Sequence, residues 1–257
     1  MTLSNRKILR TLLCLLAGTL YAVCLSACDA KEPLSENRDA EIESPVIAND
    51  LSNQKVTAIA EDTQGHIWIG TFRGLNKNNV HDYHQYFCTD DSLGLPDNQI
   101  THLLRDSKNR FWVGTVNGVC LYTDKDNFRI IPIEADNKNV RQILEDRNGR
   151  IFLNTGFQLY AYHPREEKIT CVLPEISPGN AFYAQCHIAP DNNLWVMTST
   201  GLRCYDPSTL QLKESVALSG YPYYSYLHNN ELWITGNHTL SIFDTLSLIH
   251  ISEPTRH

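Results

Sequence analysis

The chain has 257 residues, 42% of them hydrophobic and 20% charged, which is the composition of a folded globular protein with room for a sizeable core. Its net charge of −7 argues against nucleic acid as a partner, because an acidic surface repels the phosphate backbone. The cysteines after residue 50 include no Cys-x-x-Cys pair, which gives no support to a zinc or thioredoxin-like site. Cys171 and Cys186 are candidates for a disulfide, and a buried position for each thiol is the alternative.

The chain begins with the pattern of an export signal. Arg6, Lys7 and Arg10 are unopposed by any acidic residue before position 29, and the 14 residues from Leu12 to Leu25 are uncharged and mostly apolar. This stretch has the length of a signal sequence, about 7–15 residues, and falls short of the roughly 20 that cross a bilayer. We therefore predict a signal peptide or membrane anchor over residues 1–27 and a periplasmic location for the remainder.

The end of this signal resembles a bacterial lipobox, Leu25-Ser-Ala-Cys28. The resemblance implies cleavage before Cys28, lipidation of its thiol and attachment to the membrane. Ordinary cleavage near Ala27 or Ala30 and an uncleaved anchor are the alternatives. Residues 28–50 are rich in Glu, Asp, Asn, Pro and Ser, which predicts a flexible tether.

One pattern then recurs five times, at gaps of 44, 40, 43 and 38 residues. Its centre is an aromatic residue flanked by apolar ones, namely Trp68, Trp112, Phe152, Trp195 and Trp233. A period near 40 residues is typical of the blades of a β-propeller. We therefore predict five repeats over residues 51–245, with these five aromatic residues in the blade cores.

The second copy shows what one repeat contains. Apolar and β-branched residues predict strands at Ile100–Asp106, Phe111–Thr115, Val119–Tyr122 and Phe128–Ile131. Asp106–Asn109 predicts a tight turn, because an Asp side chain can bond the backbone two residues on and Asn tolerates the left-handed conformation. Four short strands joined by turns predict one antiparallel sheet per repeat.

The turn between the first two strands is also predicted in the other four copies, two of which have altered residues. It is expected at Asp62–Gly65 and Asp146–Gly149, and in altered form at Pro190–Asn193 and His228–Glu231. Helical periodicity is absent after residue 28, which excludes a helical solenoid. The predicted fold class is all-β: an incomplete propeller of about five four-stranded antiparallel blades, preceded by the signal segment.

The first two copies also carry a family resemblance. Asp62 to Leu75 reads Asp-x-x-Gly-x-Ile-Trp-Ile-Gly-Thr-x-x-Gly-Leu, and Asp106 to Val119 matches it with Asn109 in place of Gly. This pattern closely resembles the two-component regulator propeller repeat, and the resemblance extends over about residues 51–245. In that family such repeats form the periplasmic sensor of hybrid two-component systems of Bacteroidetes.

The resemblance implies a propeller that senses oligosaccharides and controls transcription of genes for polysaccharide use. In the family a membrane helix, a histidine kinase, a receiver and a DNA-binding region follow the sensor, and none of these is recognisable in this chain. The chain is therefore expected to be a non-enzymatic sensor fragment without a cofactor. A homodimer of the full-length protein is a further expectation.

The last residues have a different resemblance. Ser247-Leu-Ile-His-Ile-Ser-Glu-Pro-Thr-Arg256 resembles a peptide that arises when sequencing-adapter DNA is translated onto a truncated gene. This resemblance implies a non-native tail over residues 246–257. The alternative is a genuine strand from Leu248 to Ile251, which would make the tail part of the last blade.

The candidates for ligand contact are tyrosines in an aromatic cluster and at the equivalent place one repeat earlier. Tyr221, Tyr223 and Tyr224 belong to one cluster, and Tyr183 takes the equivalent place one repeat earlier. Aromatic faces stack on sugar rings, and the loops at the ends of a propeller gather around its central channel. The alternative is that these tyrosines are strand residues packed between blades, since tyrosine favours strands.

No catalytic or metal site is predicted. The sequence lacks a Gly-x-Ser-x-Gly elbow, a phosphate-binding loop and a His-Glu-x-x-His helix, and His81-Asp-Tyr-His84 is expected to be a solvated loop. The alternative function is a self-contained exported propeller, either a lipid-anchored binding scaffold or a polysaccharide lyase or hydrolase. Convergence of His102, His187 and Tyr183 on one pocket would favour the enzyme.

Overall fold

The computed structural model describes residues 45–79, 81–89, 94–123, 125–176, 184–218, 222–236 and 239–247, together with the backbone of residues 250–254. All of these belong to one unit, Ile42–His257. Every regular element within these ranges is a β-strand, so the prediction of an all-β fold is confirmed. The predicted signal peptide, Cys28 and most of the predicted tether lie outside the described residues.

Twenty-one strands in the described ranges form five antiparallel sheets, which follow one another along the chain. The first sheet contains β1 (Val46–Ala48), β2 (Val56–Glu61), β3 (Ile67–Thr71), β4 (Gly74–Asn79) and β5 (Asp82–Tyr86), and the second contains β6 (Ile100–Arg105), β7 (Phe111–Thr115), β8 (Gly118–Tyr122) and β9 (Phe128–Ile131). The third contains β10 (Gln142–Glu145), β11 (Ile151–Asn154), β12 (Leu159–His163) and β13 (Lys168–Leu173), and the fourth contains β14 (Gln185–Ile188), β15 (Leu194–Thr198), β16 (Gly201–Tyr205) and β17 (Leu212–Ala217). The fifth contains β18 (Pro222–His228), β19 (Glu231–Gly236), β20 (Thr239–Asp244) and β21 (His250–Pro254).

The second sheet matches the strands predicted from its sequence to within one residue at each end. The other sheets repeat its up-and-down order, so the prediction of about five four-stranded blades is confirmed. The turn between the first two strands of a sheet recurs with a positive φ at its fourth residue, which is 83° at Gly65, 62° at Asn109 and 73° at Gly149. Gly adopts that conformation without a steric penalty and Asn adopts it more readily than most residues, which agrees with the presence of these two residue types there.

The fourth copy of this turn is shifted by one residue from its predicted place. Ala189 N–H donates to Asn193 O at 2.9 Å and Asn192 N–H donates to Ala189 O at 2.8 Å, as Asp106 and Asn109 do in the second copy. The turn is therefore Ala189–Asn192, and the predicted range Pro190–Asn193 is wrong. Asn192, with φ 68°, takes the place that Gly65 takes in the first copy.

The hydrophobic core lies between successive sheets. The first strands β2, β6, β10, β14 and β18 lie next to one another, and each pair of neighbouring sheets shares one buried cluster. Between the second and third sheets, for example, Trp112 packs with Ile151 and Leu153. The first and fifth sheets have no extensive contact with each other among the described residues, so each has one face that no other described sheet covers.

Additional strands lie at both ends of the unit, within segments that were predicted to be a tether and a non-native tail. Val46–Ala48 lies within the predicted tether but pairs with β5 as β1, because the outer strand of a sheet has free backbone hydrogen-bonding groups and Val and Ile favour an extended conformation. His250–Pro254 lies within the predicted non-native tail and pairs with β20 as β21, so this tail supplies the fourth strand of the fifth sheet.

Candidate ligand-binding site

In the first two copies, the Asp at the start of the first turn accepts a hydrogen bond from the tryptophan six residues later. Trp68 Nε1 donates to Asp62 Oδ2 at 2.9 Å, and Trp112 Nε1 donates to Asp106 Oδ2 at 2.8 Å. In both turns Oδ1 accepts bonds from two backbone N–H groups, which confirms the predicted Asx turn. Burial alone would raise the pKa of the Asp62 carboxyl, but these hydrogen bonds lower it below its ordinary value. The bond to the indole was not predicted from the sequence.

An arginine completes this turn in the second and third copies. Arg110 Nε donates to Asp106 Oδ2 at 2.6 Å, and Arg150 Nε donates to Asp146 Oδ2 at 2.8 Å. The Arg110 guanidinium also lies over the ring of Trp112, with Cζ 5.1 Å from a ring centroid, which is a cation–π contact. The side chains of both aspartates are fully buried, so each turn holds a paired internal charge.

The last copies lose parts of this arrangement. The third keeps Asp146 but has Phe152 in place of tryptophan, so it has no indole to bond. The fourth keeps Trp195 but has Ala189 in place of Asp, and the buried Trp195 Nε1 has no hydrogen-bond partner among the described residues. An unsatisfied buried donor costs about 1–3 kcal/mol, so the fourth turn is a weak point of the fold.

Four of the five aromatic repeat residues occupy the predicted blade cores. Trp68, Trp112, Phe152 and Trp195 are buried, and each faces the next sheet along the chain. The prediction is wrong for Trp233, which is 37% exposed. Its side of the fifth sheet is the one that no other described sheet covers, so the position has the repeat pattern without its packing partner.

Polar side chains connect the first strands of neighbouring sheets at one repeated position. This position pairs with the residue that lies two after the central aromatic residue on the second strand. The three bonds join Ile143 N to His102 Nδ1 at 3.4 Å, Cys186 N to Gln142 Oε1 at 2.9 Å and Ser225 N to Gln185 Oε1 at 2.7 Å. Each satisfies a backbone N–H of an edge strand, which has no further strand to pair with. The position is Ala58 in the first sheet and Tyr224 in the fifth.

The two histidines considered for catalysis do not come together. His102 lies in β6 and contacts the third sheet, whereas His187 lies in β14 with Nε2 2.8 Å from Ser225 Oγ of the fifth sheet. Burial lowers the pKa of each imidazole to about 4, so both are neutral at pH 7. Tyr183, the third member of the proposed constellation, lies outside the described residues.

The candidate ligand tyrosines that the structure describes are on the surface. Tyr223 is 57% and Tyr224 58% exposed, at the beginning of β18 and beside a register shift between Pro222 and Tyr224. Tyr221 lies outside the described residues, as does Tyr183. Tyr223 and Tyr224 thus present two accessible phenol rings on β18, which lies next to β14 of the fourth sheet.

The cysteines and the segment His81–His84 carry no visible site chemistry. The prediction of a solvated loop at His81–His84 is wrong, because Asp82–His84 form the beginning of β5 and pair with β4. Cys171 is exposed, Cys186 is buried and neither is in a disulfide, so the suggested pair does not form. Burial raises the pKa of the Cys186 thiol to about 12, which makes it unreactive. Within the described ranges no group of three His, Cys, Asp or Glu residues is placed to hold a metal ion.

One cleft was not predicted from the sequence. It has a volume of about 450 Å³ and is formed by the link between the second and third sheets and by β12 and β13. Its polar lining includes Glu134, Asp136 and Lys138 from the link and Tyr160 from β12, whose hydroxyl donates to Gln158 Oε1 at 2.7 Å. Most of the lining residues belong to the link, which lies outside the repeat pattern, so periodicity gave no signal for the cleft.

Among the described residues, none forms a helix with the length and hydropathy that crossing a membrane requires.

Comparison with known protein families agrees with the repeat pattern. The family model described as "Two component regulator propeller" matches residues 50–73 and 94–117. Each segment contains the bonded Asp and Trp of one of the first two copies and the strands on either side of the turn. No curated protein matches the chain.

Two solved lyase structures share the fold at low identity. Selenomethionine-substituted virginiamycin B lyase from Staphylococcus aureus is 17% identical with a TM-score of 0.63, over 82% of this chain and 74% of that one. A streptogramin B lyase structure is 16% identical with a TM-score of 0.61, over 83% of this chain and 74% of that one. An extracellular domain named for a hybrid two component system of B. thetaiotaomicron is 15% identical with a TM-score of 0.48, over 79% of this chain and 36% of that one.

Proposed function

Because this chain contains two-component regulator propeller repeats, we propose that it is a periplasmic sensing propeller of a hybrid two-component system and that it binds an oligosaccharide. The observation that carries the proposal is the family match at two consecutive repeats, supported by the Asp–Trp bond that both of them make. In this proposal the chain acts by binding, performs no chemistry itself and serves transcriptional control of polysaccharide use. In this proposal residues 1–27 direct export and are cleaved before Cys28, and the lipid on the Cys28 thiol anchors the chain to the membrane; an uncleaved membrane anchor over residues 1–27 is the alternative.

The proposed contact site is the beginning of β18. Tyr223 and Tyr224 are both more than half exposed, which leaves their rings available to a ligand. Phenol rings present a flat apolar face with a polar edge, and sugar rings have the matching combination of C–H faces and hydroxyl rims. Tyr183 and Tyr221 are included in the proposed site because of their positions in the sequence.

Calorimetric titration with a panel of plant and host oligosaccharides tests both parts of this proposal. We expect one class of oligosaccharide to bind, and the Tyr223→Ala and Tyr224→Ala variants each to bind it about tenfold more weakly, since a lost aromatic contact of about 1.4 kcal/mol is a factor of ten. Leu212→Ala is the matched control, because Leu212 is an exposed apolar residue of the fourth sheet.

Two results would overturn the proposal at different points. Failure of every oligosaccharide to bind the folded chain would remove the ligand class. Binding that is equally strong in the wild type, both tyrosine variants and the control would keep the ligand class but remove the site.

A further inference from the structure

The link between the second and third sheets is bonded to a strand at each of its ends. At one end Ile133 forms a parallel bridge with Ile169 of β13, and Ile169 N donates to Pro132 O at 3.1 Å. At the other end Val140 N donates to Thr115 O of β7 at 3.0 Å. These bonds fix the link beside β12 and β13, so the cleft of about 450 Å³ between them is formed before any ligand binds.

The pairing of β12 with β13 is interrupted at this cleft. Tyr160 pairs with Cys171 but Leu159 pairs with Leu173, so β13 has one extra residue, Val172. In the first and second sheets the corresponding pairs, β4 with β5 and β8 with β9, run without a shift. A β-bulge of this kind bends the strand and redirects side chains, and bulges are frequent next to functional sites. The third sheet therefore departs from the repeat where two of its own residues line the cleft.

The inner part of the cleft is formed by Tyr160, which is buried, and Gln158, which is half-buried. The Tyr160 hydroxyl donates to Gln158 Oε1 at 2.7 Å, and burial raises the pKa of this phenol, so the hydroxyl keeps its proton. With Oε1 engaged in this way, the Gln158 side chain offers its amide nitrogen as a donor to a ligand. The hydroxyl oxygen of Tyr160 offers an acceptor beside it.

Charged side chains surround the mouth of the cleft. Glu134, Asp136 and Lys138 line it and are exposed, and none of the three forms a salt bridge with another residue of the described ranges. Two carboxylates and one ammonium group thus supply further acceptors and donors to whatever enters.

A neutral sugar ring matches this lining. Each sugar hydroxyl both donates and accepts, so it can bond a carboxylate and an amide or ammonium group at the same time. An anion would meet two carboxylates, and a cation would leave the donors of Lys138 and Gln158 without a partner. The volume also lies in the range of about 300–1,000 Å³ that is usual for small-ligand sites.

We propose that this cleft is a second binding site of the chain, for a neutral mono- or disaccharide, with Asp136 accepting hydrogen bonds from the sugar hydroxyls and Gln158 donating to them. The proposal does not rest on the tyrosine site proposed above, because the cleft belongs to the third sheet and its link, whereas Tyr223 and Tyr224 belong to the fifth sheet.

Two cysteines make occupation of the cleft measurable. Cys171 lines the cleft and is exposed, whereas Cys88 is exposed outside the lining and serves as the control in the same molecule. The folded chain is treated with iodoacetamide with and without glucose, galactose, mannose, xylose or lactose, and the rate at each thiol is read by mass spectrometry. A bound sugar at about ten times its dissociation constant should slow the reaction of Cys171 roughly tenfold and leave that of Cys88 unchanged, because about a tenth of the clefts stay empty.

Variants assign the contacts. Calorimetric titration with the protecting sugar should show binding about tenfold weaker for Asp136→Asn and for Gln158→Ala, since each loses a hydrogen bond to the ligand. Asp136→Asn keeps the size of an exposed side chain, so it leaves folding intact. Glu214→Gln is the matched control, because Glu214 is an exposed carboxylate of β17 outside the cleft, and it should bind as the wild type does. The double variant Tyr223→Ala/Tyr224→Ala should keep the protection of Cys171.

Four results would overturn the inference. Equal reaction of Cys171 with and without every sugar shows that no sugar occupies the cleft. Equal slowing of Cys171 and Cys88 shows a general effect on the chain. Protection by glucosamine but by none of the neutral sugars shows that the cleft takes a cation. Loss of protection in the Tyr223→Ala/Tyr224→Ala variant shows that the sugar acts from the tyrosine site.

Discussion

Replacing Asp106 with alanine should destabilise the chain more than the same change at Asp146, and the difference measures the bond between turn and tryptophan. Both side chains are fully buried, both accept two backbone N–H bonds, and both accept a bond from an arginine Nε. Asp106 also accepts the indole N–H of Trp112, whereas Phe152 has no such group to offer Asp146. The third copy is thus a natural control for the second.

The magnitude follows from these shared and unshared bonds. Removing one partner of a buried charge pair costs about 3–5 kcal/mol of stability. For Asp146→Ala we expect the low end of this range, about 3 kcal/mol, because its partner Arg150 is more than a third exposed. Asp106→Ala should cost about 2 kcal/mol more, since a hydrogen bond to a charged acceptor contributes about 1.5–3 kcal/mol. That difference corresponds to roughly 4–8 °C in Tm for a domain of this size.

Urea unfolding followed by circular dichroism gives both free energies of unfolding. A double-mutant cycle of Asp106→Ala with Trp112→Phe then isolates the pair, because the loss of ring volume at Trp112 is common to both arms of the cycle. We expect a coupling energy of about 2 kcal/mol. Equal destabilisation by Asp106→Ala and Asp146→Ala, together with a coupling below about 0.5 kcal/mol, would refute the reasoning.

Three further predictions concern stability. Ala189→Asp should raise the free energy of unfolding by about 1 kcal/mol, because the new carboxylate supplies the acceptor that Trp195 Nε1 lacks; an unchanged or lower urea midpoint would contradict this. Gln142→Ala should lower the free energy of unfolding by about 1–2 kcal/mol, because it removes the hydrogen bond from the Cys186 amide to Gln142 Oε1. Hydrogen exchange of the Cys186 amide should become faster, and unaltered exchange there would count against the inter-sheet role. Burial lowers the pKa of the His187 imidazole from 6.5 to about 4. As the pH falls, the unfolded chain therefore takes up this proton before the folded chain does. The free energy of unfolding that is present above pH 6.5 should fall by on the order of 2–3 kcal/mol as the pH drops towards 4. His187→Gln should show a shallower loss over this window in urea midpoints, and an identical pH profile would disprove the assignment.

Much of the fold could be predicted because its rules are local. Runs of apolar and β-branched residues located the strands of the second sheet, and the Asx turn at Asp106–Asn109 needs only a carboxylate and a residue that accepts positive φ. The fourth turn was misplaced by one residue because Pro190 and Asp191 look like turn residues, whereas the backbone hydrogen bonds put Ala189 in the Asp position. Without the carboxylate, the sequence had no marker for that position.

The amino-acid sequence by itself determined the repeat, the strand and turn pattern inside each copy and the family resemblance, since all of these follow from residues close together along the chain. Only the tertiary structure decided which groups meet across sheets: the bonds of Gln142 and Gln185 to the next sheet, the separation of His102 from His187, and the exposure of Trp233. Trp233 follows a leucine and precedes an aliphatic residue, as Trp195 does, yet burial is a property of the neighbouring sheet and not of the residue. That is the physical reason why a repeat can be predicted from its own residues while the state of its end faces cannot.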